Sequence, residues 1–165
     1  TEEDLEREVV VAKEILQNLL TKMGLKAKIT TSRAEVGSLD EPPPWVLDIE
    51  GPDLGSLIGR RGETLEAIQH ITRTISSRTL QRRSSIVVDI EGYKQRREVT
   101  LRKLALRMAA QAKQIGRTVT LEPMPPNERR VIYLALRDDQ SVRTESIGEG
   151  DRRKVTIIPV QSSRR

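Results

Sequence analysis

An α+β fold in two small domains is what this chain of 165 residues predicts, on three observations. The length suits one ordinary domain or two small ones with modest cores. The apolar residues recur with the period of a helix and then with that of a strand, in the order α-β-β-α-α-β, before Gly92 opens a second run. The apolar share is 36 % and the charged share 32 %, yet the apolar residues are gathered into those periodic blocks rather than diluted, which argues for folded segments over disorder.

Leu5, Val9, Ala12, Leu16, Leu19, Leu20 and Met23, at steps of three and four, predict a first helix over residues 2–22. Glu2, Glu3 and Asp4 complement the dipole of its first turn, and Gly24 follows its end. Leu25 to Arg33 alternates through Leu25, Ala27, Ile29 and Thr31, and Trp45 to Glu50 alternates through Trp45, Leu47 and Ile49. Gly37 to Pro44 between them is turn material, so the two strands read as a hairpin with Trp45 in the core. From Pro52 the pattern is helical, breaks at Gly59 to Gly62, and resumes with Leu65, Ile68, Ile71 and Ile75 on one face, ending before Arg82 and Arg83. Ile86, Val88 and Ile90 then alternate as a third strand.

Gly92 divides a first domain, 1–91, from a second, 92–160. The second opens with a basic helix from Lys94 to Ile115, whose apolar stripe is Leu101, Leu104, Ala105, Met108, Ala112 and Ile115. A strand at Thr118 to Glu122 follows, then a helix introduced by Pro125 and Pro126 and running to Arg137. Val142 to Ser146 and Lys154 to Ile158 flank Gly148-Glu149-Gly150-Asp151 as a hairpin, so helices pack on a small sheet here. Residues 161–165 read as a polar tail, and there is no internal repeat.

Composition removes most catalytic chemistry. There is no cysteine and His70 is the one histidine, so zinc clusters, thiol nucleophiles and multi-histidine sites cannot be built. His70 lies opposite the apolar stripe of its helix, facing solvent. Asp138 and Asp139 are neighbours that point apart, a poor metal or acid–base pair, and no acidic cluster has the spacing a nuclease needs. The expectation is a non-catalytic protein with no metal and no cofactor. Phenylalanine is absent and the aromatics are Trp45, Tyr93 and Tyr133, which rules out an aromatic platform for stacking bases.

The net charge of +5 conceals an asymmetry of about −5 over residues 1–51, +3 over 52–83 and +7 over 84–165. A basic, arginine-rich chain of this kind suits a partner carrying phosphates, either nucleic acid or an anionic membrane surface. No stretch approaches the roughly 18 uncharged apolar residues of a membrane span, and no signal segment opens the sequence. A cysteine-free chain suits the cytoplasm.

The segment Leu57-Ile58-Gly59-Arg60-Arg61-Gly62-Glu63-Thr64-Leu65 carries the most information. Two glycines three apart mean little alone, but these sit between an apolar pair and the first turn of a helix, with two arginines between them. Helix starts leave N–H groups unpaired that favour phosphate oxygens. Glycines let a sugar-phosphate chain approach the main chain, and Arg60 and Arg61 add cationic donors. A single strand can then be clamped by its backbone. No lysine followed by serine or threonine completes a P-loop, and Gly55, Gly59 and Gly62 do not match the dinucleotide fingerprint. In the second domain Arg129 and Tyr133 are four apart on one helix face, where a guanidinium and a phenol can meet one phosphate or nucleotide.

The order α-β-β-α-α-β with Ile58-Gly59-Arg60-Arg61-Gly62 between the second and third helices resembles a type II KH domain over residues 1–91. Residues 92–165 resemble an R-3-H domain through Pro126-Asn127-Glu128-Arg129-Arg130-Val131-Ile132-Tyr133 and the closing strands. Arg129 matches that domain's arginine, and Tyr133 stands where its histidine would be; a phenol can stack or hydrogen-bond but carries no positive charge. The tandem is similar to the bacterial Jag/KhpB family, the SpoIIIJ-associated proteins. The resemblance implies a loop gripping about four nucleotides of single-stranded RNA, or of single-stranded DNA. It implies RNA-binding roles for Ile58, Gly59, Arg60, Arg61 and Gly62, and for Arg129, Arg130 and Tyr133. It further implies a cytoplasmic bacterial regulator connected with cell division or envelope growth, pairing with itself or with another small KH protein. Arg96, Arg97, Arg102, Lys103 and Arg107 can add a cationic track. The rival reading makes the helix from Lys94 to Ile115 a docking surface for a partner protein or anionic lipid.

Overall fold

A computed structural model describes residues 1–35 and 42–160. The tail expected at 161–165 and most of the expected turn from Gly37 to Pro44 lie outside the described residues.

Helix α1, Glu2–Lys22, opens with a capping box in which Thr1 and Asp4 satisfy each other's backbone N–H groups. It buries Glu8, Ala12, Leu16 and Leu20, one residue in four. Strands β1, Lys28–Arg33, and β2, Trp45–Glu50, pair antiparallel with Thr31 opposite Leu47. Strand β3, Val87–Ile90, lies parallel to β2 with Asp48 opposite Asp89. Parallel neighbours need a long crossover, and α2, Gly55–Ile58, with α3, Glu63–Leu80, supplies it. The strand order is β1-β2-β3, and Leu16, Leu20, Leu47, Ile49, Leu65 and Ile90 centre the core beneath it. Leu25 and Ala27, expected in β1, pack on this core just ahead of the strand, and within edge strand β1 only Ile29 is buried. Trp45 packs at the core's margin beneath the Arg33 guanidinium, 4.2 Å from its ring centroid.

The inner face of α3 differs from the expected stripe. Leu65 and Ile68 are buried, but Gln69, Thr72 and Ser76 continue that face, while Ile71 and Ile75 are 42 % and 43 % exposed. Gln69 and Thr72 have partners that reward the inside position, whereas the buried Ser76 hydroxyl has none among the described residues. Thr72 Oγ1 donates to the Ile68 carbonyl at 2.8 Å, and Gln69 Oε1 accepts the Val88 N–H at 3.0 Å. Arg73 Nε donates to the Ile86 carbonyl at 2.5 Å, so α3 occupies part of the open edge of β3. Glu8, 1 % exposed, accepts from Ser84 Oγ and from the Ser85 N–H, both at 2.7 Å, and from Arg82 at 3.2 Å.

The packing divides the chain between Lys94 and Gln95. Helix α4, Tyr93–Ile115, begins just before that point and buries Leu101, Ala105, Ala109 and Ala112, whereas Ile115 is half exposed. Strand β4, Val119–Thr120, helix α5, Pro126–Leu136, strand β5, Val142–Ile147, and strand β6, Lys154–Pro159, complete the second unit. Pro126 opens α5 from an extended Pro125, where the missing N–H costs nothing. The sheet is antiparallel in the order β4-β6-β5, and Ile132, Leu136, Val155 and Ile157 join the buried side of α4 in a second core. Glu128, 5 % exposed, takes a two-pronged grip from Arg97, Nε at 2.8 Å and an Nη at 3.0 Å. Arg97 therefore serves the fold of this unit, and Arg102 pairs with Glu98 one turn away, which shortens the expected cationic track.

Candidate nucleic-acid interface

The segment between α2 and α3 is a tight bend with unusual main chain at three of its residues. Gly59 has φ 71° and ψ −176°, Arg61 φ 54°, and Gly62 φ 78°. Ile58, Gly59 and Arg61 are half-buried, Arg60 is exposed, and Gly62 is buried. Gly62 opens α3 with no side chain capping the helix start. The bend thus places two arginines, one exposed and one half-buried, at the positive end of an 18-residue helix.

The glycines answer to the protein itself as well as to a ligand. A Cβ on Gly59 would overlap Thr64 Oγ1 and lie 2.9 Å from the Thr64 amide nitrogen. A Cβ on Gly62 would lie 2.9 Å from Tyr93 Cε1. The amides of Gly59 and Gly62 bond to the carbonyls of Gly55 and Gly59, at 3.2 and 3.4 Å, so they are engaged within the segment. Thr64 and Tyr93 pack against these glycines, contacts that the sequence pattern did not single out; Tyr93 lies past the third strand, and nothing local to it announces a contact with residue 62.

In the second unit, the expected trio comes together. Arg129, Arg130 and Tyr133 of α5 line one open groove of about 560 Å³ with Pro126 and Asn127, and with Thr144, Glu145 and Ser146 of β5. Arg129 is aimed: its Nε donates to the Met124 carbonyl at 3.2 Å, and an Nη reaches Ser146 Oγ at 3.5 Å. Tyr133 is 55 % exposed, so its ring is available at the groove wall rather than sheltered under Arg129. Thr144, Glu145 and Ser146 were not among the expected site residues because the pairing that brings β5 beside α5 is not local. Asp139 accepts from Ser141 N–H at 3.0 Å and pairs with Lys113 at 3.1 Å, which leaves the Asp138–Asp139 pair a turn device. Hydrogen bonds from Ser141, with Lys113 beside it, hold the Asp139 carboxyl below its ordinary pKa. Among the described residues no group of three or more His, Cys, Asp and Glu could hold a metal, and no helix is long and apolar enough to cross a membrane.

Comparison with known proteins matches residues 11–90 to the KhpA/KhpB KH-domain family and residues 99–159 to the R-3-H domain family. The RNA-binding protein KhpB of Clostridium symbiosum is 39 % identical over 119 residues, covering 72 % of this chain and 54 % of that protein. That of Bacillus subtilis is 35 % identical over 111 residues, covering 66 % and 53 %. That of Lactiplantibacillus plantarum is 32 % identical over 111 residues, covering 67 % and 34 %. The chain spans about half the length of the first two of these relatives. With a KhpA/KhpB-type KH domain followed by an R-3-H domain, it belongs to the Jag/KhpB family.

Proposed function

We propose that the chain is a non-catalytic RNA-binding protein that clamps single-stranded RNA at Ile58, Gly59, Arg60, Arg61 and Gly62 and adds affinity through Arg129, Arg130 and Tyr133. The observation that carries this reading is the bend itself: an exposed Arg60 and a left-handed Arg61 at a helix start that no side chain caps. A phosphate there meets the positive end of α3 and two guanidinium groups, while the bases lie across aliphatic surface. The groove beside Arg129 offers a second grip, with hydroxyls of Thr144, Ser146 and Tyr133 for a sugar or base edge. The relatives carry RNA binding in their names, which favours RNA over DNA. As a post-transcriptional regulator it works in the cytoplasm, and pairing with a small KH protein accords with a KH-domain family that spans KhpA and KhpB.

The test is titration of a fluorescent single-stranded oligoribonucleotide with the wild type and with the Arg60→Asp/Arg61→Asp double variant. Wild-type affinity should fall linearly in log salt, and the variant should bind more than about tenfold more weakly with a shallower slope. Equal curves would end the loop's role, and flotation with anionic vesicles but no RNA binding would favour the docking helix instead.

A further inference from the structure

The first turn of α3 opposes the role proposed for it, because Glu63 and Glu66 both lie there. Carboxylates at a helix start compete with a phosphate for the same positive potential. Glu66 is answered by Lys94, whose ammonium lies 3.3 Å from the carboxylate and donates to Gln69 Oε1 at 2.6 Å. The Lys94 amide is itself fixed by the Asp89 carboxylate at 3.2 Å, so the ammonium is delivered from a held backbone. Arg73 also lies near Glu66, but its Nε is committed to the Ile86 carbonyl. Beside Lys94, the Tyr93 ring lies against Gly62: a Cβ there would sit 2.9 Å from its Cε1 and 3.4 Å from its hydroxyl. Tyr93 is half-buried and packs on the first core, which gives the ring a fixed seat.

Resting on the reading of the bend as a phosphate clamp, we infer that Tyr93 and Lys94, the first two residues of α4, are positioning residues for that clamp. Tyr93 holds Gly62, and with it the left-handed Arg61, in the conformation that presents the bend. Lys94 cancels the Glu66 charge that otherwise repels a phosphate from the start of α3. Both residues lie beyond the 11–90 segment matched as a KH domain, so a fragment cut at that boundary lacks the support of its own loop.

The experiment titrates a labelled single-stranded oligoribonucleotide with full-chain variants, each first shown to be folded by its urea transition. Tyr93→Ala should bind about fivefold more weakly through lost preorganisation, and Tyr93→Phe, which keeps the ring, should bind as the wild type does. Lys94→Gln should weaken binding about threefold, and adding Glu66→Gln should restore it. That recovery is not expected of a residue that only stabilises the fold. If Lys94→Gln weakens binding and Glu66→Gln does not restore it, Lys94 meets RNA directly and its cancelling role is overturned. Arg60→Asp/Arg61→Asp separates the two levels. If it binds RNA normally, the clamp reading falls; if it loses binding while Tyr93→Ala and Lys94→Gln bind normally, the positioning inference alone falls.

Discussion

Alanine at each of Gly55, Gly59 and Gly62 reads the geometry of the bend as a graded series. Gly55 opens α2 with φ outside the left-handed region and nothing within 4 Å of where an added methyl would lie, so Gly55→Ala should be neutral or stabilise by up to about 1 kcal/mol through the unfolded chain. Gly62 has φ 78° and ψ 13°, a left-handed conformation that costs an alanine about 1–2 kcal/mol. Its Cβ also meets the Tyr93 ring at 2.9 Å, which must give way, so about 2 kcal/mol is expected in all. Gly59, at φ 71° and ψ −176°, occupies a region that is essentially restricted to glycine. There the Cβ overlaps Thr64 Oγ1 and, worse, meets the Thr64 amide nitrogen at 2.9 Å, which belongs to the first turn of α3 and cannot rotate away. Gly59→Ala should therefore cost about 3 kcal/mol. Adding Thr64→Ala should recover only part of that, since it removes the hydroxyl and not the amide. Urea unfolding followed by the emission of Trp45, the one tryptophan, reports the first unit selectively. A Gly59→Ala midpoint equal to wild type, or a Gly55→Ala loss as large as that of Gly59→Ala, would refute this account of the bend.

The same Trp45 transition checks the expectations for Glu8 and Asp48. Glu8→Ala removes the acceptor for Ser84 Oγ, the Ser85 N–H and Arg82 from a site 1 % exposed, and should cost about 3 kcal/mol; a loss below about 1 kcal/mol would mean the donors find other partners. Burial raises the Asp48 pKa above its ordinary value of 3.8, with Asp89 and Glu50 adding like charge, so its carboxylate disfavours the folded state at neutral pH and this penalty fades as pH falls through the raised value. Asp48→Asn should then leave neutral-pH stability equal or higher and flatten the profile just above 3.8; an unchanged profile would contradict it. Asp139 has the opposite sign: its lowered pKa contributes stability above 3.8 that is lost as pH falls through the folded value, so Asp139→Asn should destabilise the second unit at pH 7 and not at the acid end, as read by far-ultraviolet dichroism.

Most of what was legible in the sequence was local. The order of elements, the glycine bend and the pairing of Arg129 with Tyr133 all follow from spacings of two to four residues, and all three stand in the structure. Contacts between distant residues were not legible. Glu8 looks like one more carboxylate on an acidic helix until Arg82, Ser84 and Ser85 arrive from across the chain to bury it. Arg97 looks like part of a basic face until Glu128 claims it. Bare main chain at Gly59 and Gly62 was inferred from what a ligand needs, whereas the missing Cβ atoms face Thr64 and Tyr93 inside the protein.

Helix α3 shows why hydrophobic periodicity misreads a helix that supports a site. Its period pointed to Ile71 and Ile75 as inner residues, yet the inner positions after Ile68 are Gln69, Thr72 and Ser76. An apolar residue at position 69 could also seat the helix on the sheet. It would leave the Val88 N–H on the edge of β3 without its acceptor and the Lys94 ammonium without one of its two anchors. The cost would fall on the start of α4, and through Lys94 and Tyr93 on Glu66 and Gly62, at the mouth of the bend. A polar inner residue is therefore favoured here because it carries the hydrogen bonds on which the shape and charge of the bend depend, a requirement that hydrophobicity alone does not encode.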